Sequence, residues 1–299
     1  AHGLIRPSFV PPPAVQELRD LTRTRKQLMA ELARHTLRIQ KTLEDANVKL
    51  ARVVSDLLGR SSRAILRALI AGETDPTRLV EITRGRLKAT PAQLSEALQG
   101  HVTDHHRFMI QMHLTQIESL EAAVRALDQR LGEVVPPFRQ AVALLTTMPG
   151  VSDIVAQVLV AEIGIEMGRF PTAGHLVSWA GLCPRMDQSA GKRRSTRIRH
   201  GAPWLKTVLV QAAWAGSRKR DSYLRAQFLR LQGRRGAKKA IIAVAASMLT
   251  AAYHMLRNGV EYHDLGADYL DRRDRTKVAN RLIRRLEELG PKVKIEAAA

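Results

Sequence analysis

A basic stretch around one serine is the part of the sequence best suited to chemistry. Residues 183–206 read CPRMDQSAGKRRSTRIRHGAPWLK and contain seven Lys and Arg residues but a single acid, Asp187. Ser189 precedes Ala190 and Gly191, and Gly191 tolerates a positive φ at little cost, so we expect an accessible loop. If a serine attacks a phosphodiester, charge grows on the phosphoryl oxygens and guanidinium groups can stabilise it. The residues alone leave a solvated loop, a phosphate-binding loop and a catalytic serine open.

The charge of the whole chain predicts a polyanionic partner. The 299 residues hold 48 Lys and Arg against 28 Asp and Glu, which gives a formal net charge of +20 and a pI near 11. Nucleic acid is the commonest partner of so basic a protein. The single cysteine, Cys183, excludes an internal disulfide and suits a reducing cytoplasm. The most apolar stretch, 240–252, is too short to span a bilayer and no signal peptide is seen, so we expect a cytoplasmic protein with no membrane partner.

Two long apolar seams precede the basic stretch. In both seams residues recur at steps made up of threes and fours, and the first continues for some forty residues without glycine or proline. The first consists of Leu18, Leu21, Leu28, Leu32, Ile39, Ala46, Leu50, Val53 and Leu57; the second carries Leu94, Leu98, Val102, His105, Met109, Met112, Leu120, Leu127 and Leu131 and stops at Pro136-Pro137. This spacing predicts a long antiparallel coiled-coil stalk over residues 14–136, through which the protein forms a homo-oligomer.

Local signals refine this part of the chain. Asp75-Pro76 predicts the N-cap and first residue of a short helix. The stretch Thr90-Pro91-Ala92-Gln93 predicts a capping box that starts the second long helix. His101 and His105 are four residues apart and could face one metal ion, but no cysteine is near and the other histidines point around the helix. We therefore interpret these histidines as packing or solvated residues and predict no metal site in the chain.

A glycine-centred turn between two apolar helices follows the predicted stalk. The stretch LLTTMPGVSDIVAQVLVAEIG, residues 144–164, hinges at Pro149-Gly150-Val151 and resembles a helix-hairpin-helix element. In such an element the turn and the next helix offer backbone N–H groups to a DNA phosphate. Gly150 is therefore a candidate nucleic-acid-binding residue, with an ordinary helical hairpin in the core as the alternative. Thr172 is placed to cap a further short helix.

The order of several short motifs resembles the IS110 family of insertion-sequence transposases. The matching elements are PGV at 149–151, Arg169-Phe170, GLCP at 181–184, the Ser189 and Gly191 pair with its basic run, and the segment 199–206. Ala202 stands in that last segment where the family has asparagine. The long helices before these motifs and the apolar stretch 237–256 after them also fit, so the resemblance extends over essentially the whole chain.

The resemblance implies a fold and a function. It implies a mainly α protein in which a coiled-coil stalk precedes a compact helical transposase domain with the helix-hairpin-helix-like element. These DEDD transposases are known as bridge-RNA-guided serine recombinases, so Ser189 is expected to form a 5′-phosphoserine link to DNA. The expected partners are DNA, a structured guide RNA and further copies of the chain. The expected nucleic-acid-binding residues are Gly150, Lys192, Arg193, Arg194, Arg197, Arg199 and Lys206.

The resemblance also implies an order of domains. The family begins with a RuvC-like domain whose four acidic residues bind Mg²⁺, and residues 1–13 resemble the exit from such a domain. We therefore expect no cofactor in this chain and Mg²⁺ in the missing domain. We expect an extended remnant at 1–13, the stalk at 14–136, the serine-bearing domain at 137–262 and a basic helical tail at 263–299.

These observations favour DNA strand cleavage and rejoining in transposition, guided by RNA. Two alternatives stay open. One is a non-catalytic nucleic-acid-binding remnant of a transposase. The other is a coiled-coil scaffold that binds DNA through charge alone.

Overall fold

Helices dominate the computed structural model, which describes residues 10–83, 88–185, 187–195, 197–273 and 275–290. The first helices are α1 (Pro13–Asp45), α2 (Leu50–Val53), α3 (Arg60–Ile70), α4 (Pro76–Glu81), α5 (Pro91–Ala97) and α6 (Asp104–Val134). Next come α7 (Arg139–Thr146), α8 (Asp153–Ile163), α9 (Ala173–Trp179), β1 (Asp187–Ser189) and β2 (Lys192–Ser195). The last are α10 (Pro203–Gly216), α11 (Tyr223–Arg235), α12 (Ala237–Asn258), α13 (Tyr269–Arg272) and α14 (Arg275–Glu287). The predicted mainly α class is confirmed.

The chain divides into two compact units. One comprises Asp20–Glu133, and the other comprises Ala1–Arg19 together with Val134–Ala299. We call them the helical-pair unit and the hairpin unit. The change of unit at Val134 lies close to the predicted boundary at 136, whereas the first turns of α1 group with the hairpin unit. The functional assignments of these regions remain predictions.

Two long helices run antiparallel in the helical-pair unit. Arg25 Nε donates to Asp128 Oδ1 at 2.6 Å, and ten residues further along α1 His35 Nδ1 lies 3.2 Å from His113 Nδ1. The later residue of α1 therefore contacts the earlier residue of α6, which shows that the two helices are antiparallel. The core below them is formed mainly by Ile39, Leu43, Ile65, Leu66, Leu69, Ile110, Leu114 and Ile117. Coiled-coil packing and self-association through these helices remain predictions.

The first apolar seam does not form one continuous helix, so that expectation is wrong. The helix α1 ends at Asp45, and Asn47 adopts a left-handed φ of 59°. Val48 N then donates to Leu43 O at 2.8 Å, a bond that closes the last turn of the helix. Asparagine is one of the few non-glycine residues that take this conformation readily at a helix end. The chain turns there while Leu50, further along the seam, remains in the core.

The predicted caps are present, but one of them starts a different helix. Asp75 Oδ1 accepts from Thr77 N at 2.9 Å at the start of α4. The capping box of Thr90 and Gln93 is formed, yet it starts the short α5, and the long α6 begins only at Asp104. Gly100 separates the two helices: a Cβ at this position would lie 2.5 Å from Ala46 O. The close approach of two chain segments therefore interrupts the predicted second helix.

The helix α12 is the centre of the hairpin unit. It packs against α7, α9, α10 and α11. Its buried residues are Ala240, Ile241, Val244, Ala245, Met248, Leu249, Ala252, Tyr253 and Met255. Among the helices that the structure describes, α12 alone is long and apolar enough to cross a membrane, so the expectation that its apolar stretch is too short is wrong. Half of its most apolar window is buried, as in the core helix of a folded unit.

Candidate nucleic-acid interface

The basic stretch forms a β-hairpin rather than the expected loop. Strand β1 pairs with β2 in antiparallel register, and Ser189 lies opposite Lys192. Ala190 and Gly191 form the connecting turn with φ values of 48° and 72°. Positive φ at both central residues is the requirement of the two-residue turn that matches the twist of a hairpin. Ser189 is therefore the last strand residue before the tip, and it is exposed to solvent.

The hairpin continues below these two short strands. Arg185 N donates to Arg197 O at 2.8 Å, and Pro184 pairs with Ile198. Asp187 lies opposite Ser195 whereas Gln188 lies opposite Arg193, so β2 carries one extra residue, Arg194. Such a β-bulge bends the strand and changes the direction of neighbouring side chains. The alternating signal of a strand pair is thereby broken, which hid the hairpin from sequence reasoning.

Two glycines close the base of the hairpin. Gly181 and Gly201 have φ values of 72° and 114°. A Cβ on Gly181 would overlap the carbonyl oxygen of His200, and one on Gly201 would lie 2.6 Å from Ala180 O. The chain segments that enter and leave the hairpin therefore touch through their backbones. Only glycine permits this approach, so GLCP has a structural reason for its first residue.

Lys206 holds the same base and is only partly exposed. From the first turns of α10 its Nζ donates to Arg199 O at 2.8 Å and to His200 O at 3.2 Å. Burial lowers the pKa of its ammonium group. These contacts show that Lys206 anchors the hairpin, and its predicted contact with nucleic acid remains a prediction. Sequence reasoning could not separate it from the other cations because the contact partners are backbone carbonyls.

The remaining predicted cations of the hairpin are available to a polyanion. Lys192, Arg194, Arg197 and Arg199 are exposed, and their side chains make no ion pair with the described residues. Arg193 lies on β2, but its side chain lies outside the described set. The structure thus brings these predicted residues together with Ser189 on one projecting element. Whether they contact nucleic acid remains a prediction.

Among the residues that the structure describes, none beside Ser189 is placed as a base that would activate it. Its hydroxyl makes no hydrogen bond to any residue that the structure describes. Asp187 is two positions earlier on the same strand, where the alternation of a strand places side chains on one face, yet the two groups are not bonded. Ser195, the other serine of the hairpin, accepts a hydrogen bond from Arg197 N at 3.2 Å. The hydroxyl of Ser189 is therefore accessible, and no residue that the structure describes activates it.

Gly150 is explained by packing against a neighbouring helix. It forms the turn between α7 and α8 with a φ of 86°. A Cβ there would overlap Ala212 O and Gly216 N in the last turns of α10. The two apolar helices are thus hinged where the sequence predicted, but a role of this turn in phosphate binding remains a prediction. The alternative of a helical hairpin in the core fits these contacts.

No metal-ligand set was found in the part of the chain that the structure describes. That part contains no group of three or more His, Cys, Asp and Glu side chains placed to hold an ion. His113 is buried and contacts His35, while His106 Nδ1 accepts from Thr103 N at 3.1 Å in the first turn of α6. The resemblance assigns Mg²⁺ to a separate RuvC-like domain, and that expectation remains a prediction.

Comparison with known proteins supports the family resemblance. Residues 142–229, which include the hairpin, match the family model described as Transposase IS116/IS110/IS902 family. The chain is 26% identical over 258 residues to the candidate transposase y4rJ of Sinorhizobium fredii, covering 84% of this chain and 60% of that protein. It is 30% identical over 151 residues to an uncharacterised 43.6 kDa protein of insertion element IS110 in Streptomyces coelicolor, covering 50% of this chain and 36% of that protein.

A third relative is named for a DNA rearrangement. The pilin gene-inverting protein of Moraxella bovis is 26% identical over 175 residues, which cover 52% of this chain and 54% of that protein. The chain thus spans between about a third and three fifths of the length of these relatives. The match to residues 142–229 and the three relatives together support the transposase family of IS110 and IS116 for this chain.

Proposed function

We propose that this chain carries the serine-bearing part of a transposase that cleaves and rejoins DNA strands. The observation that carries the proposal is the exposed Ser189 beside the tip of a basic hairpin, inside the segment that matches the transposase family. The similarity to a gene-inverting protein supports DNA as the substrate, because inversion also requires strands to be cut and joined. The net charge of +20 supports a polyanionic partner.

The proposed reaction is a pair of phosphoryl transfers. Ser189 Oγ attacks a DNA phosphorus, the bond between phosphorus and O3′ breaks, and a 5′-phosphoserine and a free 3′-hydroxyl remain. The serine proton passes to a base, and the leaving oxygen takes up a proton. A 3′-hydroxyl of another strand then attacks the phosphoserine, which forms the new phosphodiester and restores the serine. The two steps conserve the phosphodiester bond, so no external energy source is needed.

The hairpin contributes electrostatic stabilisation to this reaction. Charge accumulates on the non-bridging oxygens during each transfer, and preorganised cations lower its free energy. Lys192 lies opposite Ser189, Arg194 and Arg197 follow on the same arm of the hairpin, and all three are exposed. A serine hydroxyl is hardly ionised near neutral pH and needs an activating group. Because the described surroundings of Ser189 lack one, activation by a group outside this chain is part of the proposal.

The remaining elements of the proposal follow from the family. A separate RuvC-like domain with Mg²⁺ would complete the site, a structured RNA would select the DNA, and the two long antiparallel helices would join copies of the protein. The protein would act in the cytoplasm. Each of these is a proposal about the assembled transposase.

The absence of an activating group beside Ser189 also supports a second candidate function. In this alternative the chain binds DNA through its cations and does not cleave it. The two candidates predict the same electrostatic binding, but only the first predicts a covalent bond between protein and DNA.

Trapping of that covalent bond tests the proposal. We expect the complete transposase, supplied with its RNA and a DNA duplex, to form an adduct that survives denaturing electrophoresis, with mass spectrometry locating the phosphate on Ser189. Ser189→Ala should abolish the adduct. Ser195→Ala serves as the matched control because Ser195 is in the same hairpin, and it should leave the adduct unchanged. An adduct that survives Ser189→Ala refutes the assignment, and an assembly that binds DNA without any adduct favours the alternative.

A further inference from the structure

Four cations are concentrated at the corner between α11 and α12, outside the segment that matches the family. They are Arg234, Arg235, Lys238 and Lys239, and we call them the basic corner. All four are exposed, and none makes an ion pair or side-chain hydrogen bond with the described residues. Gly236 turns the chain between them with a φ of 79°.

The sequence around the basic corner contains no acid. From Ser222 to Val260 the chain has seven Lys and Arg residues and no Asp or Glu. Among the described residues, the ion pair of this segment joins Arg230 Nη1 to Asp271 Oδ1 of α13 at 3.5 Å. Lys238 and Lys239 lie in the first turn of α12, where the positive end of the helix dipole disfavours cations. A partner that supplies negative charge would remove this repulsion.

The connectivity places both the basic corner and the base of the β-hairpin away from one common end of the hairpin unit. The end of α10 and the start of α11 meet, because a Cβ on Gly216 would lie 3.2 Å from Leu224 Cδ1. The segment after α12 reaches the same end, since Tyr262 N donates to Thr147 Oγ1 at 2.9 Å and Asp264 Oδ1 accepts from Tyr223 N at 2.9 Å.

The other termini of these helices lie away from that common end. Gln227 Nε2 donates to Ser247 Oγ at 2.8 Å, and with the short connection at Gly236 this makes α11 and α12 antiparallel neighbours. The helices α10 and α11 have 14 and 13 residues, so each spans about 20 Å at 1.5 Å per residue. Pro203, which follows the hairpin, and Arg235 at the basic corner are the far termini of these two helices.

We propose that the basic corner is a second phosphate-contacting surface and that one DNA duplex contacts it together with the β-hairpin. This inference rests on the proposed function. Duplex DNA carries one charge per roughly 1.7 Å of its axis, and it is stiff over about 50 nm. Such a partner can neutralise two separate cationic surfaces of one compact unit at once. The basic corner contributes affinity and orientation, because contacts to phosphates carry no sequence information.

Removal of the same number of positive charges at two different places tests the inference. One variant combines Arg234→Gln, Arg235→Gln and Lys238→Gln; its control combines Arg218→Gln, Lys219→Gln and Arg220→Gln. The control residues are exposed and lie in the turn between α10 and α11, one helix length from the basic corner, and the control likewise replaces two arginines and one lysine. Each protein is titrated with a DNA duplex over a range of salt concentrations. Circular dichroism checks that both variants are folded.

The expected result follows from counterion release. Each lost phosphate contact reduces the slope of log K against log salt by about 0.9, so the corner variant should lose about two to three from its slope and the control less than one. Equal losses in both variants, or an unchanged slope in the corner variant, overturn the inference. A loss seen with a structured RNA but not with DNA also overturns it. If the unsubstituted protein itself shows a slope below about two, the proposed function fails rather than this inference alone.

Discussion

Substitution of two lysines that the sequence does not distinguish provides the sharpest test of the hairpin geometry. Lys206 anchors the base of the hairpin through Arg199 O and His200 O, whereas Lys192 stands exposed next to the tip without a described partner. In Lys206→Met the side chain keeps a similar length but loses both hydrogen bonds. In Lys192→Met the charge is lost and no internal bond is broken.

The magnitude for Lys206→Met follows from the two bonds. A hydrogen bond to a charged group contributes about 1.5–3 kcal/mol when it is well shielded. Both carbonyls belong to exposed residues, so water replaces part of the lost interaction and we expect a total cost of about 1–2 kcal/mol. Local opening of the hairpin should then become about 5- to 30-fold more frequent, because each 1.4 kcal/mol corresponds to a factor of ten.

Amide hydrogen exchange measures this opening. Peptides that include the Arg185 and Arg199 amides, which are bonded across the hairpin, should exchange faster in Lys206→Met by that factor. Lys192→Met should leave their exchange unchanged and instead lower the salt slope of DNA binding by about one. Unchanged exchange in Lys206→Met, or an equal acceleration in both variants, would refute the anchoring role.

Three further predictions concern packing and titration. Gly150→Ala should destabilise the protein by more than Gly164→Ala in thermal unfolding: both positions have positive φ, which costs about 1–2 kcal/mol, but only the Cβ at 150 meets backbone atoms. Burial, and secondarily the nearby His35, lowers the pKa of His113. The stability that this gives the helical-pair unit is fully present above pH 6.5 and should be lost as the pH falls below that value. Amide exchange in α6 should become faster at low pH, and His113→Gln should remove this effect. Burial raises the pKa of Tyr262 to about 12, so stability should decline as the pH rises from 10 towards 12, and Tyr262→Phe should remove both that loss and one late-titrating phenol from an ultraviolet titration.

Signals that act within a few residues were predicted correctly from the sequence. The caps at Asp75, Thr90 and Thr172 are all formed, since a cap needs only a side-chain oxygen and an N–H two or three residues later. The turn at Gly150 was also located from its neighbours. The extent of the long helices was not predicted correctly, because Asn47 and Gly100 stop them through a helix-end bond and a distant backbone contact.

The hairpin shows why the candidate site could be found but not resolved from the sequence. Residue types were sufficient to locate Ser189 and its cations, since charge density needs no structure. Which of those cations anchors the hairpin and which are free to bind a partner depends on contacts between residues that are not neighbours in sequence. Lys206 donates to carbonyl oxygens at the hairpin base, where Gly181 and Gly201 allow two backbone segments to touch. The position of those carbonyls depends on the backbone conformation, which the pattern of side chains does not reveal.

The same geometry relates the site to the rest of the hairpin unit. A two-residue turn, a bulge and a glycine-closed base give Ser189 a defined position on a short projecting element, while α10 carries that base back to the core helix α12. Positioning by such an element is useful only if a partner approaches from the outside. The exposed serine, the unpaired cations and the absence of a bonded base near Ser189 among the described residues all agree with a half-site that nucleic acid and an external activating group must complete.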